Sequence, residues 1–389
     1  MARKHVPAPP RCPQNGPASA ATAAAAVDGR ANADRLAAFI ARLPKAELHV
    51  HVEGTLEPGM MFELAERNGV ELPWPDPAAA AAARAQYTCL EDFLAAYYAG
   101  MSVLRTTRDY KQLADAYLAR AAAQGVRHAE VFFDPQAHLE RGVPFSTFLP
   151  GLAAAVQAAP QRHGLTASLI MCFVRHLGPQ AAADTLEQAL PHLPLICGVG
   201  LDSSELGHPP HQYRALFERA AQLGLHRVAH AGEEGPAEYV AEAVSLLGVE
   251  RVDHGLHCLD DPQLVERLEA MRMPLTVCPL SNLQLQVYKG CLGEKLTQLV
   301  RDTRLVITVN SDDPAYFLPP SKAACSGGYV NANYLYLAEV AGLDEAALAE
   351  LAANSFRASF LGPAAKEAHV AEVAAVLAAW QHENELLCS

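Results

Sequence analysis

The sequence predicts a closed parallel (β/α)8 TIM barrel, and three observations carry that prediction. Eight short β-rich segments alternate with longer helical patterns from Asn32 onward. Histidines and carboxylates gather at the ends of four of those segments, where barrels keep their reactive groups. The chain has 389 residues, 51% of them hydrophobic and 19% charged, which suits one large barrel with ample core.

Residues 1–31 stand apart. They are rich in Ala and Pro, and their first acidic residue is Asp28. Arg3, Lys4 and Arg11 would be the basic residues of a transit peptide. The Pro-containing start argues against an amphipathic helix, and the Ala-rich run at 20–26 is too feebly apolar for a secretory core. This segment is expected to be a low-complexity, disordered extension, with a single domain over 32–389.

The candidate strands are Glu47–Val52, His128–Phe133, Ala167–Phe173, Ile196–Leu201, Arg227–Ala231, Arg251–His254, Pro274–Cys278 and Leu305–Val309. Between them lie helical patterns such as Pro179–Leu190, Gln212–Leu223, Pro236–Leu247 and Pro262–Met271. Early Pro and acidic residues mark several of their starts. The stretch Glu57–Gln124 is long for one crossover and predicts two or three extra helices over one side of the barrel mouth. Leu343–Leu387 predicts two more helices packed outside.

Composition excludes several classes. The chain carries 30 Lys+Arg against 43 Asp+Glu, a formal net charge of −13, which disfavours a broad grip on a phosphate backbone. No apolar run approaches the ~18 residues of a membrane span. Nine cysteines are scattered without a CxxC pair, so reduced thiols in the cytoplasm are expected and a Cys-based zinc site is not. Barrel enzymes often associate, which leaves a homo-oligomer open.

The strand ends carry the chemistry. Strand one ends in His49-Val50-His51-Val52-Glu53-Gly54, strand five in His230-Ala231-Gly232-Glu233, strand six in Asp253-His254-Gly255, and strand eight in Asn310-Ser311-Asp312-Asp313-Pro314. Residues two apart on a strand share a face, so His49 and His51 both point into the barrel. An isolated His-x-His pair is as often a satisfied core feature as a metal site. Here His230 and Asp312 end other strands of the same barrel, and burying all four without a cation would carry a heavy desolvation cost. A nitrogen-rich set with one carboxylate suits zinc, with iron the alternative. Strand four has no Lys to carbamylate as a bridging ligand, which favours one metal per subunit. Glu233 and His254 stand within reach of a substrate beside that metal. Asp312 and Asp313 are adjacent, so the chain must turn there for both to serve the site.

Taken together, Pro44-Lys45-Ala46-Glu47-Leu48-His49-Val50-His51, His-Ala-Gly-Glu at 230–233, Asp253-His254-Gly255 and Asn310-Ser311-Asp312-Asp313-Pro314 resemble the adenosine/adenine deaminase family of the amidohydrolase superfamily. The resemblance covers nearly all of Asn32–Leu387. It implies one Zn2+ per subunit at His49, His51, His230 and Asp312. It implies that Glu233 protonates the purine N1, that His254 positions and deprotonates the attacking water, and that Asp313 contacts the ring through N7. Within the family, adenosine deaminases carry an Asp after the His pair that contacts ribose. Here it is Glu53, whose extra methylene is expected to fill ribose space. Glu205, in Val199–Glu205, is expected to change the purine N3 edge of the pocket. Both features, with Cys278-Pro279-Leu280-Ser281-Asn282-Leu283, look like the adenine deaminase branch. The implied activity is deamination of adenine in purine salvage, with adenosine or another N6- or N9-substituted aminopurine as the alternative. A silent purine-binding barrel is the remote one. One departure is an insertion, Leu318–Ser326, placed after strand eight.

Overall fold

Eight parallel strands follow one another around the sheet in the order of the sequence. They are β1 (Lys45–His51), β2 (Val126–Phe133), β3 (Thr166–Val174), β4 (Gly198–Asp202), β5 (His226–Ala231), β6 (Arg251–His254), β7 (Pro274–Val277) and β8 (Val306–Val309). The computed structural model describes residues 32–87, 89–320 and 327–388. The strands are buried almost throughout, as parallel strands wrapped by helices must be. The expected eight-stranded barrel is therefore the observed one, with strand limits agreeing to within two residues.

Two seams of the barrel shape the site. Beyond the end of β8 the chain closes against β1. The His51 N–H donates to the Asp312 carbonyl at 3.0 Å, and the Asp312 N–H donates to the His49 carbonyl at 3.0 Å. This parallel bridge faces Val50 and sets Asp312 between the two histidines. On the opposite side, β4 and β5 pair only at Gly198–His226 and Val199–Arg227, and the seam opens above them. The Leu201 carbonyl, released from the ladder, accepts from His230 Nδ1 at 3.1 Å instead.

Four helices separate β1 from β2: Pro58–Asn68, Pro77–Arg84, Leu90–Met101 and Thr107–Ala123. The last is the crossover helix. Its start is fixed by a reciprocal cap between Thr106 and Asp109. The other three are the additions expected of that long stretch. Leu90–Met101 lies over the mouth, where Phe93 packs on Phe317 with ring centroids 4.7 Å apart. Two helices, Glu345–Ala358 and Pro363–Cys388, follow the barrel as expected. The pattern read as one helix over Pro236–Leu247 is an α-helix at Ala237–Glu242 that widens to a π-turn over Ala243–Leu247. Residues 1–31 lie outside the described residues, as do 321–326 of the insertion. At its start the Leu318 N–H donates to Gln284 Oε1 at 2.8 Å. Among the described residues, no helix is long and apolar enough to cross a membrane.

Deeper in the barrel Arg251 bridges elements far apart in sequence. Its Nη1 donates to Glu130 Oε2 at 2.5 Å and to the Ala358 carbonyl at 3.2 Å, and its guanidinium lies 4.4 Å from the Phe360 ring centroid. Burial alone would raise the Glu130 carboxyl, but Arg251 and His128 hold it at about 2. Removing one member of such a buried pair strands the other. Arg251→Met is therefore expected to lower unfolding stability by ~3–5 kcal/mol in urea titrations. The depressed Glu130 value makes the pair's contribution full above the unfolded carboxyl pKa of ~4.3 and lost as pH falls through about 2. A wild-type urea midpoint in the variant, with the same acid limb, would contradict this role for the pair.

Candidate active site

Four side chains converge at the C-terminal mouth of the barrel. His49 and His51 leave β1, His230 leaves β5, and Asp312 lies just past β8. One donor atom from each falls within 4.8 Å of all the others, and all four residues are buried. Asp312 Oδ1 is 3.3 Å from His49 Nε2 and 3.6 Å from His51 Nε2. The Nε2 atoms of His51 and His230 are 3.4 Å apart.

The rings are oriented from behind. Thr276 donates its hydroxyl proton to Asp253 Oδ1 at 2.8 Å, so its oxygen accepts from His49 Nδ1–H at 2.9 Å. His230 spends its Nδ1–H on the Leu201 carbonyl. His51 Nδ1 faces Asp202 Oδ2 at 3.7 Å. With Nδ1 protonated, His49 and His230 present bare Nε2 lone pairs inward. His49 Nε2 is buried without a hydrogen-bond partner. Burial lowers the pKa of His49 and takes that of His230 well below the usual range, so both rings are neutral. Asp312 Oδ1 faces these lone pairs, an arrangement that a cation between them stabilises. Neutral nitrogen donors and one carboxylate pointing at one another, with an orphaned buried Nε2, fit a divalent metal ion.

Three site residues sit in left-handed backbone, which costs ~1–2 kcal/mol for a residue with a Cβ. They are Ser203 (φ 71°), His254 (φ 61°) and Asp312 (φ 63°). The turn at Asp312 resolves the problem of the adjacent acids. It sends the Asp312 carboxylate to the histidines and the Asp313 carboxyl into the neighbouring cavity. Asp313 then rests on Gly54, where an added Cβ would lie 1.8 Å from Asp313 Oδ1.

The sequence-predicted acids lie beside the metal donors. Burial, reinforced by the Asp312 and Glu205 charges, raises the Glu233 carboxyl well above its ordinary range. Burial and the Asp312 charge do the same to Asp313. Both carboxyls are thus biased toward the protonated form, and Glu233 Oε1 and Asp313 Oδ1 have no partner. His254 Nε2 is 3.5 Å from Glu233 Oε2 and 3.7 Å from Asp312 Oδ2. Burial pushes this ring down to about 3, so it is neutral. Its Nδ1 is 3.3 Å from Asn282 Nδ2. Turned over, the Asn282 amide would accept Nδ1–H with its otherwise unpartnered Oδ1 and leave Nε2 free to take a proton.

Glu233, His254 and Asp313 line a pocket open at its mouth, with about 430 Å³ of space not filled by protein, solvent at the mouth included. Its roof is apolar and aromatic, with Leu90, Phe93, Leu94 and Tyr97 from the added helix. Two residues depart from the sequence reading, because neither Glu53 nor Glu205 is among the cavity-lining residues. A 3₁₀ turn at Glu53–Thr55 follows β1. Glu53 Oε1 accepts from His138 Nε2 at 2.8 Å and from the Asp134 N–H at 3.2 Å. Glu205 braces the loop that carries Glu233, accepting from the N–H groups of Gly232, Glu233 and Gly235 at 2.9–3.0 Å. In place of these two, the cavity wall holds Asp134, Asp202 and Ser203, to which the sequence reading gave no role. Burial and the facing Asp202 hold the Asp134 carboxyl well above its ordinary range. The signal lies in position: Asp134 follows β2 directly and Asp202 ends β4, where barrels keep their reactive groups.

The adenosine deaminase family model matches residues 44–376. An adenine deaminase of Sphingopyxis alaskensis is 52% identical over 346 residues, covering 89% of this chain and 98% of the relative. Among solved structures, an adenine deaminase from Arthrobacter aurescens is 46% identical with a TM-score of 0.79, covering 85% of this chain and 98% of that one. An amidohydrolase from Burkholderia ambifaria with bound Zn is 26% identical with a TM-score of 0.80, covering 90% and 94%.

The donor set makes one expectation independent of any activity. Elemental analysis should find one divalent metal ion per chain in the wild type and none in Asp312→Ala, whose melting temperature should fall with the loss. A variant that retains one tightly held ion per chain would place the fourth donor elsewhere.

Proposed function

The chain belongs to the adenosine deaminase family of the amidohydrolase superfamily, and from that membership we propose a zinc-dependent adenine deaminase that converts adenine and water to hypoxanthine and ammonia. The observation that carries the reading is the pair of buried carboxyls, Glu233 and Asp313, each with an unpartnered oxygen, beside one metal donor set. A purine offers acceptors at N1 and N7 on either side of C6, and two protonated acids are the donors such an edge requires. The names of the relatives at 52% and 46% identity support the same substrate.

His49, His51, His230 and Asp312 would hold one Zn2+ per subunit, with iron the alternative. When bound, the zinc supplies Lewis acidity that lowers the pKa of a coordinated water to ~7. The chain's own residues do the rest. Asp313 donates to N7 and orients the ring. Glu233 gives its proton to N1 as water oxygen bonds to C6, and His254 Nε2 takes the proton that the water loses. His254 then passes that proton to the amino group, the C6–N bond breaks, and ammonia leaves. The hydroxyl proton on C6 returns to Glu233 as the carbonyl forms, which restores both groups. Phe93 and Phe317 cover the site and exclude competing water. The product class fits purine salvage and nitrogen catabolism. A cytoplasmic setting accords with six free thiols among the described cysteines.

Metal-quantified protein offered adenine and adenosine separately in an ultraviolet assay should convert adenine alone. Conversion of adenosine instead would keep the chemistry and refute the substrate. Glu233→Gln should keep its metal and lose ~10²–10⁴-fold in kcat. Loss of metal with the rate retained would reverse the assignment of Glu233.

A further inference from the structure

We propose that Asp134 accepts the N9–H of free adenine, and that this hydrogen bond, which an N9-substituted purine cannot make, sets the preference of the cavity for the base. The proposal rests on the adenine deaminase reading above and assigns its selectivity.

Asp134 is 4% exposed, stands immediately after β2 and lines the cavity. Its Oδ1 has no hydrogen-bond partner. A carboxyl oxygen so placed is an acceptor without a donor, and a buried one left that way carries a cost of desolvation. The residue is also held in place. Its N–H donates to Glu53 Oε1 at 3.2 Å, and Glu53 is fixed by His138 Nε2 at 2.8 Å. His138 is gripped in turn at Nδ1 by Arg141 Nη2 at 2.6 Å. This brace is the structural use of the long acid at position 53, in place of the steric use expected from sequence.

The orientation follows by elimination. With N1 at Glu233 and N7 at Asp313, the N3/N9 edge must meet the remaining wall. Leu90, Phe93, Leu94 and Leu285 offer that edge nothing polar. Ser203 Oγ is engaged with His176 Nδ1 at 2.8 Å, and Asp202 Oδ2 faces His51 Nδ1, while Asp202 Oδ1 is unpartnered like Asp134 Oδ1. The Tyr97 hydroxyl, unpartnered, can donate to N3. Of the two unpartnered carboxyl oxygens, Asp134 Oδ1 is the one braced through Glu53 and His138, and it accepts from N9–H whether or not the carboxyl is ionised. A substituent on N9 removes the donor, leaves this oxygen buried and unpaired, and crowds it. A site built around a substrate N–H rejects analogues that lack it far more strongly than an apolar pocket can.

The test compares adenine with 9-methyladenine in the wild type, Asp134→Ala and Asp134→Leu, each checked for bound metal and a cooperative melt. The wild type should favour adenine by at least ~10-fold in kcat/KM. Both variants should raise the adenine KM by ~10–100-fold with kcat little changed, and the adenine preference should collapse by a similar factor. Leu keeps the bulk and removes the acceptor, so a preference retained in Asp134→Leu would overturn the hydrogen bond in favour of size alone. Should a variant fail to fold, the wild type still decides: equal processing of 9-methyladenine and adenine sinks the proposal. Absence of adenine turnover in the wild type would sink the function reading itself, and this proposal with it.

Discussion

Three imidazoles can face one another in a dry barrel mouth only if something fixes each ring and something else takes its lone pair. The far nitrogens answer the first need. Thr276 holds His49, and the Leu201 carbonyl, freed where β4 and β5 part, holds His230. The second need is a cation. Around it the fold gathers Glu53, Asp134, Asp202, Glu233, Asp253, Asp312 and Asp313, all buried. Burial raises several of them, and in Glu233 and Asp313 this favours the protonated state that can donate to a purine. Charge management and chemistry are one arrangement here.

The backbone closure and the metal donors are likewise one feature. Asp312 makes two of the hydrogen bonds that join β8 to β1 and offers its side chain to both histidines of β1. The barrel cannot close as it does without bringing these donors together. Metal affinity and barrel integrity should therefore be coupled more tightly than in a site carried on loops.

Much of this was legible in the sequence. Alternating β-rich and helical segments gave all eight strands, because parallel barrel strands are short, apolar and punctuated by Gly, Pro and carboxylates. The His-x-His spacing placed two donors on one face, because side chains alternate along a strand. What the sequence could not convey was the direction of side chains just past a strand end, where alternation stops. Glu53 lies in a 3₁₀ turn and meets His138, whose partnership with it spans 85 positions. Glu205 sits in the loop after β4 and turns to the backbone of the next strand's loop. In both cases residue type suggested substrate contact, and the local backbone directed the side chain into a brace. Asp134 and Asp202 have the opposite history: ordinary strand-end acids that tertiary pairing brings into the cavity wall.

Gly54 supplies no metal donor, yet its lack of a side chain keeps the mouth in shape. Any side chain there would start inside the space of the Asp313 carboxyl, with its Cβ also 2.5 Å from Cγ. Its carbonyl accepts from the Ala315 N–H at 3.0 Å, so the backbone has little freedom to retreat. A genetic screen for inactive alleles should therefore recover even the mildest replacement, alanine, at this codon. Such an allele would be full-length and folded, and its lesion would lie in a residue with no chemistry of its own.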